Sequence, residues 1–198
     1  MAASETPWGY DVDLDAGESI PGILTLARFH EMTGGSFVDD SRIQSAIDAA
    51  TARVRSYCGG YVVGSLKCTA VLDGGERRLW LPSTHVTALS SVTVHGVDVT
   101  DSCEWSRRGE LRLPWSPDVL GAVVAVFTSG FAEVPGEIEG LLVHRVIHEV
   151  ALPFGIASET IGSTSRTYTA NAADGTGTCH LTASDREALS AYRLVEVR

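Results

Sequence analysis

The sequence predicts an α+β fold: a mainly helical core of three to four helices, an inserted small antiparallel β-sheet, and flexible N-terminal and C-terminal arms. Three observations lead there. Apolar residues recur at three- and four-residue spacing near both flanks, in 25–58 and again in 137–151. The stretch between them, 61–128, is rich in Val, Leu and Thr, with turn residues dividing it into short runs. The two ends, 1–22 and 156–180, are polar and carry neither period. The predicted organisation is an acidic arm over 1–22, a core over 23–155, and a polar arm with a last helix over 156–198.

Taken in order, Thr25 is placed to cap a short helix over 25–33, which Gly34 and Gly35 end. Asp39, Asp40 and Ser41 offer N-caps to a second helix over 40–58. Its stripe is Ile43, Ala46, Ile47, Ala50 and Val54, and Gly59-Gly60 closes it. In the middle, Val92, Val94, Val97 and Val99 alternate around His95-Gly96, the pattern of a hairpin. Asp73-Gly74-Gly75-Glu76 reads as another hairpin turn. The run 121–128 lacks polar alternation and is the candidate central strand. Pro135-Gly136 opens a third helix over 137–151, with Ile138, Leu141, Leu142, Arg145, Val146 and Val150 on overlapping positions and Pro153 and Gly155 beyond its end. Thr182 and Asp185 have capping-box spacing for a last helix, with Asp in place of Glu.

Composition removes several classes of function. The 198 residues carry 25 acidic against 15 basic side chains, a formal charge of −10. That balance works against general nucleic-acid binding, which depends on Lys and Arg neutralising phosphates. The longest apolar stretch, 122–127, is far too short to span a bilayer, and the acidic start is unlike a signal peptide. A soluble protein made in the cytoplasm, with no membrane partner, is the expectation. Cys58, Cys68, Cys103 and Cys179 have no zinc-ligand spacing and read as reduced thiols.

No catalytic signature emerges. His144 and His148 lie four apart on the third helix with Glu149 beside them, a spacing at which two imidazoles share a metal. Arg145, however, stands where a metalloprotease motif needs its Glu. The competing reading is a helix face used for packing or a subunit contact. No phosphate-binding glycine loop and no nucleophile elbow occur. Trp80, Trp105 and Trp115 read as core or interface anchors. The expectation is a structural or assembly subunit, not an enzyme, with no cofactor and no metal. The rivals are a metal-dependent hydrolase built on His144 and His148, and a small-molecule module using the sheet face.

The order of segments resembles the head-to-tail adaptor (connector) proteins of long-tailed bacteriophages, especially those of actinobacterial hosts. The pieces that carry the resemblance run from about 22 to 194. They are the opening helix pair (24–30, 39–48, 54–59), the strand-turn-strand 86–97, and 105–111. The strand 123–131 follows, running through Val134-Pro135-Gly136 into the third helix, then 159–168, and finally 181–189 with Tyr192-Arg193. The resemblance implies a ring of about twelve identical subunits beneath the portal protein, extending the DNA channel. It also implies a docking surface for the next connector or a tail-terminator protein. Genomic DNA would pass through the lumen without specific binding, and the protein would reside in the virion at the head–tail junction. The residues it points to for portal docking are Ile161, Arg166, Tyr168, Leu189, Tyr192 and Arg193. Another neck or tail-completion protein of the same virion is the nearest alternative.

Overall fold

The computed structural model has the α+β architecture that the periodicities predict. It describes residues 2–5, 10–14, 20–60, 64–151, 158–161, 164–167 and 181–194. In chain order the elements are β1 (Ala2–Glu5), β2 (Asp11–Leu14), α1 (Leu26–Thr33), α2 (Asp40–Cys58), β3 (Leu66–Leu72), β4 (Arg78–Trp80), β5 (Val86–Val94) and β6 (Val97–Asp98). There follow β7 (Glu104–Trp105), β8 (Glu110–Arg112), β9 (Val123–Ser129), α3 (Gly136–Ala151), β10 (Ser158–Ile161), β11 (Thr164–Thr167) and α4 (Ala183–Leu189). The chain divides into two compact units. The first is Met1–Ile23, Arg55–Pro135 and Leu189–Arg198; the second is Leu24–Val54 and Gly136–Ala188.

The first unit is built on an antiparallel sheet of order β1-β2-β3-β9-β5-β6. The apolar run at 121–128 becomes β9, flanked by β3 and β5, so that Cys68 and Leu89 both sit opposite Phe127. Val123, Ala125 and Phe127 are fully buried on one face of that strand. Val12, Cys68, Ala70, Val92 and Val94 join them in the same buried cluster. The buried cluster of this unit is therefore carried mainly by strands. At the far edge, His95 and Gly96 both have positive φ (51° and 80°), the geometry of a two-residue hairpin turn, and Val94 pairs with Val97.

Two arrangements differ from the sequence reading. Part of the acidic N-terminal stretch is extended, as expected, but it is paired: Val12 lies opposite Cys68. Tyr10, Val12 and Leu14 are buried while Asp11 and Asp13 are not. The expected single sheet is also two, because β4, β8 and β7 form a separate three-stranded sheet. The turn at 73–76 consequently does not close a hairpin. Its amides are used elsewhere: Gly74 N donates to Val119 O (2.9 Å) and Gly75 N to Pro117 O (2.8 Å), while the Asp73 carboxylate accepts from Gly121 N at 2.8 Å. Zipped to the 117–121 loop, the turn carries the chain from one sheet to the other.

The second unit is helical. Thr25 caps α1 by accepting from Arg28 N at 3.2 Å, and Gly34 ends it in the left-handed region. Asp39 caps α2, its Oδ1 accepting from Arg42 N at 3.1 Å; that hydrogen bond holds the Asp39 carboxyl below its ordinary range. Ile43, Ala46, Ile47, Ala50 and Val54 are buried, as are Phe29 of α1 and Ile138, Leu142 and Val146 of α3. Polar side chains link the helices at the rim. Arg28 donates to both oxygens of Glu139 (2.7 and 3.2 Å), His30 meets Asp40 at 2.9 Å, and Arg42 donates to Glu149 O at 3.3 Å. Within 156–180, β10 and β11 pair antiparallel, with Glu159 opposite Arg166; the rest of that polar stretch, and Pro153 and Gly155, lie outside the described residues.

Candidate assembly surfaces

The last helix is fastened to its own chain. Its capping box forms as the spacing predicts: Thr182 N donates to Asp185 Oδ2 at 2.7 Å, and Asp185 N to Thr182 Oγ1 at 3.3 Å. The same Asp185 carboxylate takes an ion pair from Arg145 of α3 at 2.6 Å, with side chains only 14% and 13% exposed. Arg145 also donates to Thr182 Oγ1 at 3.1 Å. This clasp joins α3 to α4.

The residues expected to dock on a partner divide accordingly. Leu189 is 1% exposed and therefore an interior side chain. Tyr192 lies edge-on to Phe131 (5.8 Å), which in turn stacks flat on His85 at 4.0 Å. Arg193 sits over the Tyr57 ring at 5.5 Å, and Leu194 N donates to Cys58 O at 2.8 Å. Residues 189–194 are thus laid back onto the first unit. Ile161 and Arg166 fall on the β10–β11 hairpin, and Tyr168 lies outside the described residues. Leu189, Tyr192 and Arg193 thus lie along one short segment of the first unit, while Ile161 and Arg166 belong to the second.

His144 and His148 are both exposed on α3. Among the described residues no group of three His, Cys, Asp or Glu is arranged to hold a metal ion. Burial pushes the Cys58 thiol up to about 11, which disfavours the thiolate a nucleophile needs. Cys103 is raised too, by burial and by Asp98; Cys179 lies outside the described residues. Within the same limits, no helix is long and apolar enough to cross a membrane.

Two surfaces escaped sequence reasoning. One is the outer face of the β4-β8-β7 sheet. Arg78 and Arg112 are cross-strand neighbours, and Glu110 accepts from both, at 2.8 and 3.1 Å. Partial burial opposes the charged Glu110 carboxylate, but the two guanidiniums outweigh it and hold its carboxyl below the ordinary range. Arg78 also lies over Trp80 at 5.7 Å. Trp80, Trp105 and Trp115 are each about two-fifths exposed, so none is a core residue. The second surface is the end of the large sheet where β3 stops and β9 starts. There Val71, Val119 and Leu120 are exposed, Leu120 by 83%. Neither surface depends on local periodicity; both are assembled from residues far apart in the chain.

This α+β arrangement recurs in solved particle necks. A chain in the neck of an empty gene transfer agent (GTA) particle, computed with C6 symmetry, matches with a TM-score of 0.54 at 16% identity, over 93% of this chain and 96% of that one. A chain of the native GTA virion gives 0.54 at 18% identity, again over 93% and 96%. One from the native GTA neck computed with C12 symmetry gives 0.50 at 14%, over 94% and 97%. At such identities the likeness is one of fold. No protein-family model matches the chain, and no curated protein does.

Proposed function

We propose that this chain is a structural subunit of a phage-like virion neck, and specifically a head-to-tail adaptor. In this reading about twelve copies form a ring under the portal, extend the DNA channel, and offer a seat to the next connector or tail-terminator protein. The observation that carries it is the correspondence of fold over nearly the whole of both chains with proteins of GTA necks. The order of sequence segments described above supports the same assignment independently. A charge of −10 suits a channel through which DNA must slide without adhering, with the acid turned to the lumen.

Docking to the portal is assigned to the β10–β11 hairpin, with Ile161 and Arg166, to Tyr168, and to Tyr192 and Arg193 just beyond the last helix. Leu189, being buried, does not front this surface. Co-sedimentation of the purified chain with portal rings tests the role. The adaptor reading expects it to pellet with the portal in a fixed ratio. A chain that ignores the portal and instead joins purified tails would be a tail-completion protein.

A further inference from the structure

The 106–109 turn, between β7 and β8, presents Arg107 and Arg108 at its tip, both exposed. Among the described residues neither guanidinium makes an ion pair or a hydrogen bond; every such contact of this sheet belongs to Arg77, Arg78 or Arg112. The turn is nevertheless rigidly held. Ser106 N donates to Glu110 O (2.9 Å), Gly109 N to Ser106 O (3.0 Å), and Glu110 N to Ser106 Oγ (3.2 Å). From the neighbouring strand connection, Leu81 N donates to Gly109 O (2.7 Å) and Val86 N to Arg107 O (2.8 Å). Gly109 has φ +88°, and a Cβ there would meet Ser83 O at 2.5 Å, so only glycine lets the turn lie this close. Two unpaired cations on a braced support have the backbone part of their ordering cost already met, which favours binding.

What would such a tip meet? Both units carry an acid excess of five: the first has fourteen Asp and Glu against nine Lys and Arg, and the helical unit, Leu24–Val54 and Gly136–Ala188, has eleven against six. Its exposed carboxylates include Asp48 and Glu137. Double-stranded DNA is the other anion at hand, but two guanidiniums would give a salt slope of only about −1.8 in log K, a weak hold that the −10 charge opposes. We propose that the 106–109 turn is the positive half of a contact between copies of this chain, its Arg107 and Arg108 facing the acidic helical unit of the next copy. This rests on the ring reading above and names a surface for it. Such a contact is heterologous, so it propagates around an axis and closes where the rotation permits.

The test is sedimentation velocity of the full chain at low and at high ionic strength, comparing wild type with R107E/R108E and R107K/R108K. The reversed pair should weaken association of copies by roughly tenfold or more at low salt and by little at high salt. The lysine pair should keep most of it, and at high salt, where the contact is screened, thermal melting should be the same for all three. A wild type that forms rings while R107E/R108E forms them equally well overturns the inference and leaves the ring reading standing. A wild type that never self-associates in solution overturns the contact proposed and leaves standing a ring templated by the portal. Unchanged self-association, with loss of binding to a labelled DNA duplex, would instead assign the tip to a polyanion and also overturn the contact proposed.

Discussion

Replacing Asp185 by Ala removes the hub of the α3–α4 clasp. The carboxylate both pairs with Arg145 at 2.6 Å and accepts Thr182 N at 2.7 Å. Removing one partner of a buried ion pair costs about 3–5 kcal/mol because the other charge is stranded. Arg145 retains its bond to the Thr182 hydroxyl and is slightly exposed, which lowers that figure; the lost cap adds about 1 kcal/mol. The expected loss is about 3 kcal/mol, which lowers the melting temperature by roughly 6–12 °C for a chain of this size. Urea and thermal unfolding followed by circular dichroism measure it, and hydrogen exchange should show α4 amides losing protection first. A cycle with Arg145→Met, Asp185→Leu and the double variant should give a coupling of at least about 1 kcal/mol. A loss under about 0.5 kcal/mol for Asp185→Ala, or strictly additive single variants, would refute the clasp.

Three further outcomes follow from the same contacts. Gly109→Ala forces a Cβ against Ser83 O at positive φ and should cost about 2–4 kcal/mol in urea unfolding, against no loss at the helical Gly140, which has open space and no positive φ. Val12→Ala should cost about 2 kcal/mol, since Val12 is a fully buried member of the sheet core; an effect near zero would show that β2 adds nothing to the core. The Arg28 hydrogen bonds hold the Glu139 carboxyl below its ordinary range, so their contribution is complete above about pH 5 and fades as pH falls through the depressed value. The stability gap between wild type and Glu139→Gln should therefore be flat near neutrality and shrink in acid; a gap that widens in acid would contradict the assignment.

The helices were legible because their signals are local. The stripe of α2 and the capping pairs at Thr25 and at Thr182 with Asp185 are written within a few residues, and each forms as the spacing predicts. β2 was legible too, though missed: Tyr10, Val12 and Leu14 alternate with Asp11 and Asp13, and the acid masked the period. What local pattern cannot hold is pairing between distant strands. That β4 joins β8 and not β3 is decided by the 117–121 loop taking up the Gly74 and Gly75 amides, more than forty residues downstream. The candidate surfaces share that origin. Arg107 and Arg108 look like any exposed pair until the 81–86 connection is seen to brace their turn, and Leu189 looks like an exposed edge until its burial is seen.

The most direct measurement is a density map of the head–tail junction of the particles that carry this protein. The account predicts this fold repeated about twelve times in a closed ring directly beneath the portal, with the β10–β11 hairpin and the last helix toward the portal and the 106–109 turn against the next copy. A junction without this fold, or the fold found at the tail tip or capsid wall, would contradict it.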